Sequence, residues 1–330
     1  MHNHLDPFPC ANYIREIGRG ARGGRGIDRE DANILYGAIL AGRVADLELG
    51  ALLLAYRIKG ESAQELAGML DAVHCTIPKL ACRAGTPVII PSYNGARRRP
   101  NLVPLLALLL VRQGVPVLIH GVINDSGRVT TADILSELGI SLSGYVASIE
   151  DALDRDRLAF APIDTLAPAL ARQLALRTAL GVRNSAHTLA KLLQPFGQPA
   201  LRLVNYTHDA YRNTLAEYFS QPGAAGAAGV LLSRGTEGEA VADTKLAREI
   251  LWLHGGGSEI LMAATKKEDR DTPALPEAPD AATTARWIEQ VLAGNIPAPT
   301  AITAQVNAII QIAGKEFPDP AAIHQVPISA

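Results

Sequence analysis

The chain has 330 residues, 48% of them hydrophobic, with 31 Lys and Arg set against 33 Asp and Glu for a formal net charge of −2. That is enough material for one large domain and a smaller one with a self-sufficient core, and it excludes a disordered, collagen-like or coiled-coil chain. A nearly balanced charge by itself points to no polyanion partner.

In chain order, the first dozen residues hold Pro and His and are expected to be loose. Ile14 to Gly26 interleaves Arg15, Arg19, Arg22 and Arg25 with five glycines, and its later half cannot sustain a helix. Apolar residues then recur at helical spacing in Ala32–Leu40, Leu47–Ile58 and Leu66–Val73. Gly42 and Gly60 act as stops, and Ser62 with Glu65 forms a capping box for the third helix. The middle alternates. Pro87–Ile90, Val115–His120, Leu201–Val204 and Val230–Ser233 read as strands, and Leu102–Gln113, Ala132–Leu138 and His208–Phe219 read as helices. After a Pro-rich linker, Asp271–Pro279, come helices at Ala281–Leu292 and Thr300–Ile312. Strand and helix in alternation predict an α/β fold: a small N-terminal helical domain plus a larger α/β domain with a mainly parallel sheet and crossover helices. The expected division is 1–80 and 81–330, with part of the later chain returning to the helical domain.

The start has neither the basic nor the apolar region of a secretory signal. The longest apolar run, Leu102 to Val111, is about half of a membrane span and contains Pro104. A cytoplasmic protein without a membrane partner is therefore expected. Cys10, Cys75 and Cys82 include no CxxC pair and read as free, buried structural thiols in a reducing compartment.

Two stretches carry a family likeness. Ile39 to Val44, continued through Arg57-Ile58-Lys59-Gly60-Glu61-Ser62 to Gly68, resembles the N-terminal helical domain of anthranilate phosphoribosyltransferases. Val117-Leu118-Ile119-His120-Gly121, followed by Ala132 to Gly139, is similar to that family's "KHG…ADVLEALG" segment. Leu176 to Arg183 is a weaker echo. The resemblance implies a homodimer formed through the helical domain, and an α/β domain that binds phosphoribosyl pyrophosphate and Mg²⁺. The sequence departs where that chemistry resides. Pro91-Ser92-Tyr93-Asn94-Gly95-Ala96 stands in place of a "GTGGDG" phosphate loop, whose bare backbone N–H groups surround pyrophosphate. Ile119 replaces a lysine. Ala240 and Val241 replace an adjacent Asp-Glu pair, leaving Glu237 and Glu239 as weak metal candidates. No catalytic residue, metal or cofactor is therefore expected, with Mg²⁺ entering only if a transferase of altered substrate survives. Ser92, Asn94, Gly95, Asn101, His120 and Gly121 would form the vestigial phosphate and substrate pocket. Ile90 to Arg97 and Leu180 to Leu192 resemble the YbiB-type subgroup of this fold, which implies a dimer that binds nucleic acid without sequence preference.

The charge map supports that expectation independently. Between Asp71 and Asp125 there is no acidic residue, yet there are six cations: Lys79, Arg83, Arg97, Arg98, Arg99 and Arg112. Between Asp164 and Asp209 there is again no acid, against five: Arg172, Arg177, Arg183, Lys191 and Arg202. Guanidinium groups stay charged and fork onto phosphate oxygens, and the counterions they release supply affinity without reading bases. The expected DNA contacts, RNA being possible too, are Arg19, Arg22, Arg25, Arg97, Arg98, Arg99, Arg177, Arg183, Lys191 and Arg202. The two windows are expected to converge on one solvent-facing groove. Aromatic residues are 5% of the chain, so base stacking should be minor. Each feature also has a plainer reading. The Arg triplet is then solvated surface, Arg177 and Arg183 brace helices or hold a leftover anion, and His120 and His187 are interior. Asn94, Gly95 and Asn101 would make a turn and a helix cap.

Overall fold

The computed structural model describes residues 6–19, 23–246, 248–255, 257–264 and 274–317. Four helices open the chain: α1 (Ala11–Ile17), α2 (Arg29–Leu40), α3 (Asp46–Lys59) and α4 (Ala63–His74). An alternating stretch follows, with β1 (Val88–Ser92), α5 (Val103–Arg112), β2 (Val117–Gly121), α6 (Thr131–Glu137), α7 (Val146–Asp156) and β3 (Leu158–Pro162). Four short helices come next: α8 (Ile163–Leu166), α9 (Pro168–Ala175), α10 (Arg177–Leu180) and α11 (Ala186–Leu189). Then come β4 (Leu201–Tyr206), α12 (Asp209–Phe219), β5 (Val230–Arg234), β6 (Ile250–His254), β7 (Gly257–Met262), α13 (Ala281–Leu292) and α14 (Thr300–Ala313).

The chain divides into two compact units. Met1–Pro78 with Leu166–Leu193 form the smaller, all-helical one, and Lys79–Thr165 with Gln194–Ala330 form the larger. In the smaller unit Ser62 caps α4 by accepting from the Glu65 N–H, while the Glu65 carboxylate accepts from the Ser62 N–H. Gly68 lets α2 and α4 pack tightly, since a Cβ there would stand 2.1 Å from the Arg29 carbonyl oxygen. Residues 6–12 are anchored rather than loose, in that Cys10 is fully buried and the Phe8 N–H donates to the Arg43 carbonyl; residues 1–5 lie outside the described residues. Cys75 is exposed, unlike Cys10 and Cys82; it follows the last turn of α4, where the amphipathic face ends.

The larger unit is built on a seven-stranded sheet in the order β3-β2-β1-β4-β5-β6-β7, parallel from β3 to β5 and antiparallel beyond. β1, β2 and β4 are buried throughout, as strands covered on both faces must be. Val88 and Ile90 of β1 share a core with Val117 and Ile119 of β2 and with residues of α5, α6, α13 and α14. Pro104 sits in the first turn of α5, where its missing N–H costs nothing. The chain runs outward in opposite directions from β1 and β4. Their carboxyl ends therefore flank the point where an open α/β sheet leaves a crevice for ligand. Among the described residues no helix is long and apolar enough to cross a membrane.

Candidate nucleic-acid interface

The β1 loop occupies that crevice, and the groups expected to form a vestigial pocket are all there. Ser92, Asn94, Gly95, Asn101, His120 and Gly121 are every one buried. The polar side chains among them are taken up by neighbours in the same unit. Ser92 Oγ and Asn101 Nδ2 both donate to Thr131 Oγ1, at 2.8 and 3.0 Å, and Asn101 Oδ1 accepts from the Val103 N–H at the start of α5. Gly121 packs against β1 so closely that a Cβ would lie 1.9 Å from the Ser92 carbonyl oxygen. His120 Nδ1 is 2.6 Å from the Tyr93 hydroxyl. Burial pushes its imidazole down to about 3, so it is neutral. It is an interior histidine, with no charge to offer a phosphate.

The acidic hairpin after β5 meets the β1 loop. Glu239 is buried, and its Oε1 accepts from the backbone N–H groups of Asn94 and Gly95, both at 2.7 Å. Glu237 accepts from the N–H groups of Arg97 and Arg98, at 2.7 and 3.1 Å. The Gly238 carbonyl accepts from Asn94 Nδ2 and from Asn205 Nδ2, at 2.5 and 2.8 Å. Gly238 has φ +89, and a Cβ there would overlap Asn94 Nδ2 at 1.9 Å, so only glycine allows the hairpin this close. The two carboxylates singled out as weak metal candidates are thus spent on backbone donors. Among the described residues no group of three or more His, Cys, Asp and Glu could hold a metal ion.

Beside the crevice the same loop carries its cations outward. Arg97 and Arg98 are exposed, and among the described residues no side-chain hydrogen bond or ion pair holds either guanidinium. Arg99 is different, since its Nη1 lies 2.9 Å from Asp243 Oδ1. Arg128, which no charge pattern had singled out, donates to the Gly95 carbonyl at 3.3 Å. Lys79 and Arg112 are exposed as well, and Arg83 stands 4.0 Å from Asp154.

In the smaller unit Arg177, Arg183 and Lys191 gather around His187. Burial first, then Arg183, then Arg177 and Lys191, push the His187 imidazole down to about 4 against a backbone hydrogen bond at Asn184 that raises it. Asn184 fixes this segment by donating to the Gln173 carbonyl and accepting from the Ala186 N–H. Arg19 and Arg25 are exposed, with Arg19 paired to Glu16 at 2.7 Å; Arg22 lies outside the described residues.

Arg202 leaves the set of expected phosphate contacts. It stands on β4 at 3% exposure, donates to the Ala224 carbonyl and stacks over the Phe219 ring. Its place in an acid-free window reflects a buried strand. The first window's cations thus all belong to the larger unit, and the remaining cations of the second to the smaller.

Comparison with known proteins sets these observations in a family. Residues 11–74 match the model of the glycosyl transferase family, helical bundle domain. The YbiB protein of Escherichia coli (strain K12) is 42% identical over 92% of this chain and 93% of its own length. The chain belongs to the YbiB family. Anthranilate phosphoribosyltransferase of Methylobacterium radiotolerans is 30% identical over 54% of this chain and 50% of its own. The fold is shared more widely. The crystal structure of the Thermus thermophilus anthranilate phosphoribosyltransferase superposes with a TM-score of 0.70 at 23% identity, covering 92% of this chain and 89% of that one. The Saccharomyces cerevisiae enzyme in complex with PRPP and Mg gives 0.68 at 14%, covering 92% and 88%. This YbiB-family chain keeps the anthranilate phosphoribosyltransferase-like fold, while four N–H groups of the β1 loop at its switch point are held by its own carboxylates.

Proposed function

We propose that this protein binds nucleic acid through the phosphate backbone, without sequence preference and without a transferase reaction, as a homodimer. One observation carries the reading. Four backbone donors of the β1 loop are consumed by Glu237 and Glu239, while the Arg97 and Arg98 guanidiniums of the same loop are exposed with no side-chain partner among the described residues. A loop that cannot offer its N–H groups to pyrophosphate still offers two forks suited to phosphodiesters. The Arg177, Arg183 and Lys191 group supports a second set of phosphate contacts on the smaller unit. DNA and RNA share the feature being recognised.

The homodimer rests on an apolar stripe along α3. Leu47, Leu54 and Ile58, one face of the helix at spacings of seven and four, are 87%, 48% and 57% exposed. An unpartnered stripe of this kind marks an association surface.

A surviving phosphoribosyl or other pentosyl transfer is the competing reading, favoured by kinship to anthranilate phosphoribosyltransferase. It needs the Gly95 N–H, which Glu239 holds, and a cation at Ile119. Calorimetric titration decides between them. We expect no heat with phosphoribosyl pyrophosphate, with or without Mg²⁺, and saturable binding of duplex DNA; uptake of phosphoribosyl pyrophosphate in place of DNA would reverse the assignment.

A further inference from the structure

The geometry points to Glu237 and Glu239 as resident anions: two carboxylates of this chain that stand where a bound ligand's charged oxygens would, shut external phosphates out of the β1 loop, and hold that loop in one conformation. Five successive residues, Asn94 to Arg98, make up the loop. The Ala96 N–H is tied to the Val129 carbonyl, and the other four N–H groups all end on the two carboxylates. Convergent backbone N–H groups make a concavity for anions, and the spacing of the two acids, with one glycine between them, presents two negative centres to it side by side.

The hairpin is built for this placement. Thr236 and Glu239 exchange backbone hydrogen bonds across the turn. Glu237 adopts φ +51, the left-handed region that a non-glycine residue enters at a cost, and in doing so it delivers its carboxylate to Arg97 and Arg98. Gly235 is equally confined, since a Cβ would meet the Glu239 carbonyl oxygen at 2.3 Å. Glu239, at 1% exposure, has Oε2 without a hydrogen-bond partner among the described residues. A buried carboxylate charge, costly to desolvate, is thus spent on two backbone N–H groups. A hairpin kept for packing alone would need neither charge. This role rests on the same capture of loop N–H groups that carries the proposed function, and the DNA arm below separates the failure of one from the failure of the other.

The probe is inorganic pyrophosphate, with trypsin as the reporter of loop order. Trypsin cuts after Arg97 and Arg98, while the bond after Arg99 is blocked by Pro100. The wild-type protein should give no calorimetric signal with pyrophosphate, and cleavage at Arg97 and Arg98 should be slow and indifferent to it. In E237A the loss of charge-assisted bonds to two N–H groups should speed cleavage at least about tenfold. Added pyrophosphate should bind and slow cleavage again. E237Q keeps the size of the side chain without its charge and should gain the same response, which covers a failure of E237A to fold. Pyrophosphate binding by the wild type, or none by a folded E237A or E237Q, would overturn the proposal. DNA binding by the wild type with no gain of pyrophosphate binding in the variants would sink the resident-anion idea alone.

Discussion

Replacing Arg97 and Arg98 together with alanine gives the sharpest test of which side chains meet phosphate. Both guanidiniums are exposed and lack a side-chain partner among the described residues, so each can neutralise one phosphate without first breaking a bond. On duplex DNA each such contact contributes about 0.9 to the slope of log affinity against log salt, so the double variant should lose about 1.8. Raising salt from about 50 to about 200 mM should then narrow the gap between wild type and variant by about twelvefold. Arg99 predicts its own contrast. It must leave Asp243, 2.9 Å away, before it can serve a phosphate, so R99A should change the slope by less than about half of one contact. D243N should free it and raise the slope. Fluorescence anisotropy on one labelled duplex across a salt series reads all four proteins. A double variant whose slope stays within about 0.3 of wild type, with an unchanged thermal melt, would refute the reasoning.

R202M should leave the salt slope untouched, because the guanidinium is buried against Ala224 and Phe219; a reduced slope would return Arg202 to the binding surface. Acid should destabilise the fold through His120 and His187, both held below the ordinary imidazole value of 6.5. The unfolded chain then takes up protons that the folded one refuses. The stability they confer is complete above about pH 6.5 and should fall by about 2 kcal/mol for each histidine by about pH 5. Urea unfolding across that range checks the loss, and H187Q should flatten the curve by its share. L54E, which puts a charge into the exposed α3 stripe, should shift sedimentation from dimer to monomer; an unchanged dimer would place the contact elsewhere.

Much of the architecture was legible because its signals are local. The capping box at Ser62 and Glu65, the β-branched Val88-Ile89-Ile90 run and the solid apolar face of Leu102–Gln113 each announce their element. β3 escaped because Leu158-Ala159-Phe160-Ala161-Pro162 contains no β-branched residue, and β7 because its exposed edge has no buried face to set a period. Where the chain re-enters the helical unit, at Leu166–Leu193, helices of four to eight residues are too short for periodicity to mark. The site was legible in its parts but not in its pairings. Departure from a phosphate loop could be seen in Pro91–Ala96, whereas the capture of the Asn94, Gly95, Arg97 and Arg98 N–H groups by Glu237 and Glu239 spans 139 to 145 residues of sequence. Asp243, which occupies Arg99, is equally remote, and Thr131, which ties Ser92 to Asn101, stands 39 and 30 residues from them. Arg202 shows the converse error, in that an acid-free window can record burial as readily as a cationic surface.

The most direct measurement is the affinity of the wild-type protein for several unrelated duplex and single-stranded sequences, each titrated across salt. The account predicts similar affinities for unrelated sequences of the same strandedness, and a steep, straight fall of log affinity with log salt. Binding that ignores salt, or that singles out one sequence, would contradict it.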